Sequence, residues 1–319
     1  MEKSHIPDVA IAIFNRGRIA ASYCSLDGTK LSPDSIFEAA SLSKPVFAIG
    51  VLTLVNNHQL DLDRPLSSYL DHPYEHEQNP FGTGPVDIVL DPRIKQVTAR
   101  MVLSHTTGLP NWSRDRPLAF LSDPGQRWSY SGEGYIYLQR VVESITGQPL
   151  SVFIQEAVFR PLRMTHSSFE WEKSFSKTAL PGHTVSGALE QVPHFDHSLA
   201  SNTLYTTLTD YARFVSRLLR PERSSPFAME EVKQVVVRPD LDLAWGLGLA
   251  VEDASTPSFF HWGANPGFQS FFLCQPKTRR AVLLLTDSDN GLDLVDSVVQ
   301  LSVPGVHPSL RFPMLHPKD

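Results

Sequence analysis

The chain has 319 residues, of which 41% are hydrophobic and 19% charged, so it can bury a sizeable core as one large domain or two closely packed lobes. Its 28 basic and 34 acidic residues give a net charge of -6 at pH 7 without a dense Lys/Arg stripe, which argues against nucleic acid as a partner. Apolar runs such as residues 281–285 are far shorter than the roughly 20 residues that span a bilayer, so no membrane helix and no membrane partner is expected.

The N-terminal segment predicts sheet followed by a buried helix. Residues 9–14 and 18–24 are β-rich runs joined by a turn at Asn15-Arg16-Gly17, which indicates a hairpin. Residues 43–57 are apolar almost all round, as is typical of a helix packed between layers. No basic segment followed by an apolar stretch precedes the hairpin, so we expect a cytoplasmic protein, or a periplasmic or secreted one if an export signal was removed.

The middle of the chain, from residue 60 to about residue 219, has a mainly helical pattern. Its clearest helices are predicted at residues 134–146, ended by Gly147, and at residues 208–219. Long loops separate them, and Pro, Gly and acidic residues dominate the loop at residues 71–93.

The last third of the chain predicts sheet again. Short strands are expected at residues 244–251, 258–262, 269–274 and 280–286. A closing helix follows at residues 293–301, and a Pro-rich tail from Pro304 is expected to lie along the surface.

This arrangement predicts an α+β fold in which one antiparallel sheet is built from both chain ends and flanked by helices. We assign residues 1–60 and 208–319 to the lobe with the sheet and residues 61–207 to an inserted all-α lobe, with the active site between them.

Ser41-Leu42-Ser43-Lys44 is a Ser-x-x-Lys pattern at the start of the predicted buried helix. An i, i+3 spacing on a helix places the hydroxyl of Ser41 and the amine of Lys44 on one face. A desolvated lysine can remove the proton of a serine, which is otherwise a weak nucleophile. Taken alone the pattern is weak, because Ser41 could simply cap the helix.

Two further motifs strengthen the hypothesis. Tyr130-Ser131-Gly132 precedes a predicted helix, and His261-Trp262-Gly263-Ala264 ends a predicted strand. Three such motifs in this order are much less expected by chance than one.

In these motifs, and in Phe37-Glu38-Ala39-Ala40, 103-LSHTTGLP-110 and 263-GANPGF-268, the sequence resembles the serine β-lactamase-like, penicillin-recognising hydrolases. Its likeness is to the branch with class C β-lactamases, D-Ala-D-Ala peptidases and family VIII carboxylesterases, and it runs from about residue 6 to residue 289. The resemblance implies a β-lactamase/transpeptidase-like fold. It also implies that Ser41 is acylated while Lys44 and Tyr130 transfer protons, with the pKa of Tyr130 lowered by Lys44.

The resemblance assigns the remaining site residues to substrate binding. His261 would bind or polarise the substrate carboxylate or the leaving group. The backbone N–H groups of Ser41 and Ala264 would form the oxyanion hole, and Gly263 would let the strand approach the substrate closely.

Two departures from the family pattern bear on the substrate. Gly132 stands where the second motif usually ends in Asn, which counts against efficient β-lactam hydrolysis. His261 replaces the lysine of Lys-Thr-Gly, so an imidazole that titrates near neutrality stands in for a permanent charge, and we expect kcat/KM to respond to pH there. Both changes favour an uncharged ester.

Other candidate sites are weaker. His72-Pro73-Tyr74-Glu75-His76 matches a zinc-peptidase pattern, but Pro73 argues against the helix it requires, and residues 194–197 are better explained as a polar loop. His105 is expected to make a structural hydrogen bond and not to act as a base. We expect Cys24 and Cys274 to be buried thiols, and we expect neither a metal nor a cofactor.

The sequence therefore predicts a serine hydrolase that acts through an acyl-enzyme on a small-molecule ester or amide, in the manner of a carboxylesterase. A β-lactamase, a D-amino-acid peptidase or an acyltransferase of the same family remains open, as does a non-catalytic acyl-binding or sensor module. The sequence does not indicate the oligomeric state.

Overall fold

The computed structural model describes residues 5–16, 18–25, 31–190, 194–220, 235–238, 242–252 and 256–316. The strands are β1 (Asp8–Asn15), β2 (Arg18–Ser25), β3 (Phe37–Glu38), β4 (Glu75–Glu77), β5 (Val86–Ile88), β6 (Gly182–His183), β7 (Leu189–Glu190), β8 (Tyr205–Thr206), β9 (Val235–Arg238), β10 (Leu243–Trp245), β11 (Ala250–Glu252), β12 (Ser258–Asn265), β13 (Phe268–Gln275) and β14 (Arg280–Thr286). The helices are α1 (Ser43–Asn56), α2 (Ala99–Leu103), α3 (Gly132–Thr146), α4 (Leu150–Ile154), α5 (Arg160–Leu162), α6 (Leu208–Leu218) and α7 (Val295–Ser302).

An antiparallel sheet with the strand order β2-β1-β14-β13-β12-β11-β10-β9 unites the two ends of the chain. The two chain ends meet where β1 pairs with β14, with Val9 opposite Thr286. The hairpin predicted at the N-terminus forms β1 and β2. The predicted α+β fold with a sheet from both chain ends is confirmed.

Neighbouring side chains on a strand point to opposite faces of the sheet, so each face has its own set of apolar side chains. Helices cover both faces. On β14, Leu283 and Leu285 belong to a large apolar core that includes residues of α1 and α6. Val282 and Leu284 belong to a second core with residues of α7 and the C-terminal segment. Most residues of α1 are buried, including Lys44 in its first turn. Lys44 is therefore shielded from water.

The segment between residues 60 and 207 contains more irregular chain than the helical prediction implied. Besides α2 to α5 it holds the short antiparallel pairs β4–β5 and β6–β7, so it is not all-α. The predicted helix at residues 134–146 forms as α3, with Ser131 as its N-cap and Gly147 in the left-handed conformation at its end. The division into lobes at residues 60 and 207 stays a prediction.

The strand predicted at residues 244–251 is two strands, β10 and β11. They pair through a turn in which Gly248 has a φ of +90°. A Cβ atom at Gly248 would lie 2.3 Å from the Cβ of Ala48 on α1, so the turn packs directly against that helix. The sequence pattern could not reveal this contact, because it depends on tertiary packing.

The C-terminal tail packs against the sheet instead of lying along the surface as predicted. Phe312 is buried, and its ring centroid lies 5.3 Å from that of Trp262 and 6.1 Å from that of Trp128. The backbone N–H of Ser309 donates to Glu252 on β11, and Glu252 also contacts His307 at 2.8 Å. Apolar burial and these polar contacts hold the tail in place.

Candidate active site

Ser41 lies on a tight turn, Ala40–Leu42, between β3 and α1. The preceding residue, Ala40, is buried with a φ of +50°, a conformation that costs free energy for a residue with a Cβ. The hydroxyl of Ser43 donates to the carbonyl of Ala40 at 2.6 Å and helps to fix this turn. This turn places the hydroxyl of Ser41 beside the first turn of α1, which carries Lys44.

Lys44 is fully buried one helical turn after Ser41. Its Nζ lies 3.1 Å from Ser41 Oγ and 2.8 Å from the carbonyl oxygen of Ser201. Burial lowers the pKa of Lys44 to about 7, because desolvation penalises the charged ammonium. A neutral amine is therefore well populated near pH 7, beside the hydroxyl whose proton it could accept.

Tyr130 faces the same amine. Its ring centroid lies 4.7 Å from Lys44 Nζ, and its buried hydroxyl makes no hydrogen bond of standard geometry with any described residue. Burial raises the pKa of Tyr130, and its contact with the Ser41 side chain lowers it only in part. The expectation that Lys44 lowers this pKa is wrong, because burial dominates and the phenol stays protonated.

The imidazole ring of His105 packs against the ring of Tyr130. Its ring centroid is 4.4 Å from that of Tyr130, and its Nδ1 accepts a hydrogen bond from the backbone N–H of Ser131 at 3.1 Å. Burial, followed by the nearby Lys44, lowers the pKa of His105. The predicted structural hydrogen bond is present, and this imidazole is neutral.

His261 lies on β12 and is fully buried, with its ring centroid 6.2 Å from that of Tyr130. Its Nδ1 is 2.7 Å from the carbonyl oxygen of Trp262, and its Nε2 has no hydrogen-bond partner among the described residues. Burial, and secondarily Lys44, lower the pKa of His261 to about 3. The expectation that this imidazole titrates near neutrality is wrong, because the enclosing tertiary structure removes it from water.

Gly263 lets β12 pack against the segment that carries Ser41. A Cβ atom there would lie 2.4 Å from the carbonyl oxygen of Ala39 and 2.5 Å from Ser270 Oγ. The hydroxyl of Ser270 donates to the same carbonyl at 2.8 Å. The next residue, Ala264, is exposed at the strand end. The structure thus brings Gly263 and Ala264 to the predicted nucleophile, and the oxyanion role of the Ser41 and Ala264 N–H groups stays a prediction.

Trp112 occupies the space beside Gly132. A Cβ atom at Gly132 would lie 2.8 Å from the carbonyl oxygen of Asn111 and 2.9 Å from the Trp112 ring. A side chain at this position would therefore meet the ring of Trp112, which belongs to the connection between α2 and α3. No sequence motif pointed to Trp112.

A polar chain that no sequence motif indicated lies near Ser41 and Lys44. The Nδ2 of Asn265 donates to Glu38 Oε2 at 2.9 Å and to the carbonyl of Asn202 at 3.2 Å. Asn202 in turn follows Ser201, whose carbonyl contacts Lys44. The positions of Glu38 before Ser41 and of Asn265 after Ala264 were the only signals available.

In the candidate zinc pattern, His76 lies on a strand and not on the helix that such a site requires. His76 lies on β4, with Nδ1 3.0 Å from Asp87 and Nε2 3.2 Å from Glu133 at the start of α3. Its two ring nitrogens thus join α3 to the β4–β5 pair. Within the described ranges, no group of three or more His, Cys, Asp or Glu side chains has the geometry to hold a metal.

The remaining histidines considered as ligands contact other residues of the protein, and one of the two cysteines is a buried thiol. His194 stacks on Trp171 with the ring centroids 3.4 Å apart, and His197 contacts Asp196 and the carbonyl of Pro80. Cys274 is a buried free thiol, whereas the side chain of Cys24 lies outside the described residues. In the part of the chain that the structure covers, no helix has the length and apolarity to cross a bilayer.

A family model for Beta-lactamase matches residues 1–301. The chain belongs to the Beta-lactamase family. Protein flp of Staphylococcus aureus (strain MRSA252) is 23% identical over 322 residues, covering 90% of this chain and 60% of that protein. The putative penicillin-binding protein PbpX of Bacillus subtilis (strain 168) is 21% identical over 280 residues, covering 82% of this chain and 65% of that protein. The chain thus spans less than two thirds of the length of these two relatives.

Solved structures share the fold of this Beta-lactamase family member. The octameric penicillin-binding protein homologue from Pyrococcus abyssi has a TM-score of 0.77 at 19% identity, covering 99% of this chain and 77% of that one. A beta-lactamase/D-alanine carboxypeptidase from Yersinia pestis, complexed with citrate, has a TM-score of 0.74 at 16% identity, covering 95% of both chains. At these identities the likeness establishes the fold.

Proposed function

We propose that this protein is a serine hydrolase that forms an acyl-enzyme at Ser41, with Lys44 as the base. The observation that carries the proposal is the 3.1 Å contact between Ser41 Oγ and the buried Lys44 amine, whose pKa of about 7 leaves it partly neutral near pH 7. Membership of the Beta-lactamase family supports the same assignment. In this account the site lies between the lobe of residues 1–60 and 208–319 and the lobe of residues 61–207.

Acylation begins when Ser41 Oγ attacks the substrate carbonyl and its proton moves to Lys44 Nζ. The resulting oxyanion is held by the backbone N–H groups of Ser41 and Ala264. Tyr130, which is protonated, donates its proton to the departing oxygen or nitrogen and regains one from the Lys44 ammonium. Water then attacks the acyl-enzyme while Lys44 takes its proton, the bond from Ser41 Oγ to the acyl carbon breaks, and the Lys44 ammonium returns that proton to Ser41 Oγ as the carboxylic acid is released.

We infer that the substrate is a small, uncharged ester in the manner of a carboxylesterase. His261 is neutral and buried, so it offers no fixed positive charge for a substrate carboxylate. Trp112 fills the space beside Gly132, where the family pattern would place an amide that contacts the acylamide group of a β-lactam. Both features work against β-lactams and peptides with a free C-terminus.

The proposal is tested by incubating the purified chain with a fluorophosphonate, p-nitrophenyl butyrate, a chromogenic cephalosporin and a D-alanyl-D-alanine peptide. We expect labelling at Ser41 and ester turnover, little hydrolysis of the cephalosporin or the peptide, and loss of labelling and turnover in Ser41→Ala. Ester turnover that survives in Ser41→Ala would contradict the mechanism. Labelling with peptide or cephalosporin turnover in place of ester turnover would contradict the substrate assignment, and transfer of the acyl group to an added alcohol would indicate an acyltransferase.

A non-catalytic acyl-binding or sensor module is the alternative of another class. It would be labelled at Ser41 but would accumulate an acyl-enzyme from every substrate without releasing product, which intact mass spectrometry distinguishes from turnover.

A further inference from the structure

A small cavity of about 90 Å³ lies beside the polar chain at Glu38 and is separate from the groups that perform the proposed reaction. Its lining includes Glu38, Glu190, Trp171, His194, Tyr205 and Phe268. Glu38 is only three residues before Ser41, and its partner Asn265 directly follows Ala264. The cavity therefore borders the region of the nucleophile.

The carboxyl group of Glu38 is held in this cavity by neutral partners. Its residue is 6% exposed, Oε2 accepts a hydrogen bond from Asn265 Nδ2 at 2.9 Å, and the Tyr205 side chain also contacts it. No lysine or arginine is among the described residues that line the cavity. A carboxylate in this position is desolvated without a cation to compensate its charge.

The rest of the wall combines the rings of Trp171, Tyr205 and Phe268 with Ile36 and residues 179–182, and His194 stacks on Trp171. The rings of Trp171 and Tyr205 meet edge to face with centroids 5.5 Å apart, and Tyr205 is buried. Aromatic faces attract ammonium groups through their quadrupole, and a desolvated carboxylate adds a charged acceptor. This combination fits a compact cation better than a neutral or anionic group.

We propose that this cavity binds a primary ammonium group on a short alkyl chain, with Glu38 as its counter-ion and Trp171 and Tyr205 as its aromatic walls. The ammonium donates to the Glu38 carboxylate, while Glu190 adds a second negative charge at the cavity. Binding of the cation itself does not depend on any reaction at Ser41.

The pH dependence of binding follows from the groups around the carboxyl. Burial raises the pKa of Glu38 to about 7, so the empty carboxyl takes up a proton below that pH. The polar and titratable groups that face it are Tyr205 on β8, Asn265 on β12, Glu190 on β7 and His194. Since an ammonium pairs only with the ionised carboxylate, its affinity is expected to rise from pH 6 to pH 8.

The test is isothermal titration of the full chain with n-propylammonium chloride at constant ionic strength, with n-propanol as the uncharged probe. We expect saturable binding of the ammonium only, weakened about tenfold or more in Glu38→Gln, as befits a lost charge-assisted hydrogen bond. Glu172→Gln, which neutralises an exposed carboxyl outside the cavity, is the matched control and should bind as the wild type does. Ala179→Leu fills the cavity while keeping Glu38, and it should also abolish binding.

The proposal is overturned if n-propylammonium does not bind the wild type, if n-propanol binds as well, or if Glu38→Gln and Ala179→Leu, both folded by circular dichroism, retain wild-type affinity. Ser41→Ala separates this proposal from the hydrolase proposal. Ammonium binding is expected to persist in Ser41→Ala, because the cavity does not include the hydroxyl of Ser41. Ammonium binding by a wild type that no fluorophosphonate labels would refute the hydrolase function alone, and labelling of a wild type that binds no ammonium would refute the cavity proposal alone.

Discussion

The Nζ atom of Lys44 lies 3.1 Å from the Oγ atom of Ser41, within packing that leaves none of Lys44 exposed. An ammonium in this position is costly because burial penalises its charge, and the same burial lowers its pKa from 10.5 to about 7. Burial of Lys44 thus lowers the free energy of unfolding and places a partly neutral amine beside the candidate nucleophile.

Lys44→Met is expected to remove activity and to raise the free energy of unfolding relative to the wild type at pH 6. Between pH 7 and 10.5 the unfolded wild type holds a proton on Lys44 that the folded protein does not, so wild-type stability rises with pH across this window. Each unit of pKa difference corresponds to about 1.4 kcal/mol. The advantage of Lys44→Met should therefore shrink by a few kcal/mol between pH 7 and pH 10.

Urea unfolding of both proteins at several pH values measures this difference, since only the wild type carries the buried amine. An advantage of Lys44→Met that stays constant across the window would mean that Lys44 keeps an ordinary pKa.

Gly263→Ala is expected to destabilise the protein and impair turnover, because the new methyl group would meet the carbonyl oxygen of Ala39 at 2.4 Å. Overpacking of this kind costs about 1–3 kcal/mol, and relief of the clash would move β12 away from Ser41. Gly82→Ala is the matched control, since its Cβ would lie no closer than 3.6 Å to another group. Thermal unfolding and ester turnover compare the two, and equal behaviour would refute the close approach of β12.

Gly132→Asn is expected not to restore β-lactam hydrolysis, although it restores the residue of the family pattern. Its side chain would collide with the Trp112 ring and with the carbonyl of Asn111, at a cost of about 1–3 kcal/mol. Trp112→Ala in the same chain should recover part of that loss, because the two substitutions share one space. Melting temperatures and cephalosporin rates are the readout. Efficient cephalosporin hydrolysis by the single variant would show that Trp112 does not exclude that substrate.

The sequence predicted the elements whose signals are local. The i, i+3 spacing of Ser41 and Lys44, the hairpin of β1 and β2 and the left-handed end of α3 at Gly147 all depend on neighbouring residues. The burial of His261 depends on rings from other segments, such as Trp245 at a centroid distance of 5.6 Å, and no local pattern contains that information. The packing of Phe312 was missed for the same reason, since the Pro-rich tail meets its partners only in the folded chain.

Whether Lys44 is the base is tested by the pH dependence of the bimolecular rate constant for fluorophosphonate labelling, measured in the wild type and in His261→Gln. With Lys44 as the base, the rate constant should fall about tenfold per pH unit below a midpoint near pH 7 and level off above it, in both proteins. His261, with a pKa of about 3, should contribute nothing between pH 5 and pH 8. A profile that is flat in the wild type, or a limb near pH 7 that disappears only in His261→Gln, would contradict the assignment of Lys44.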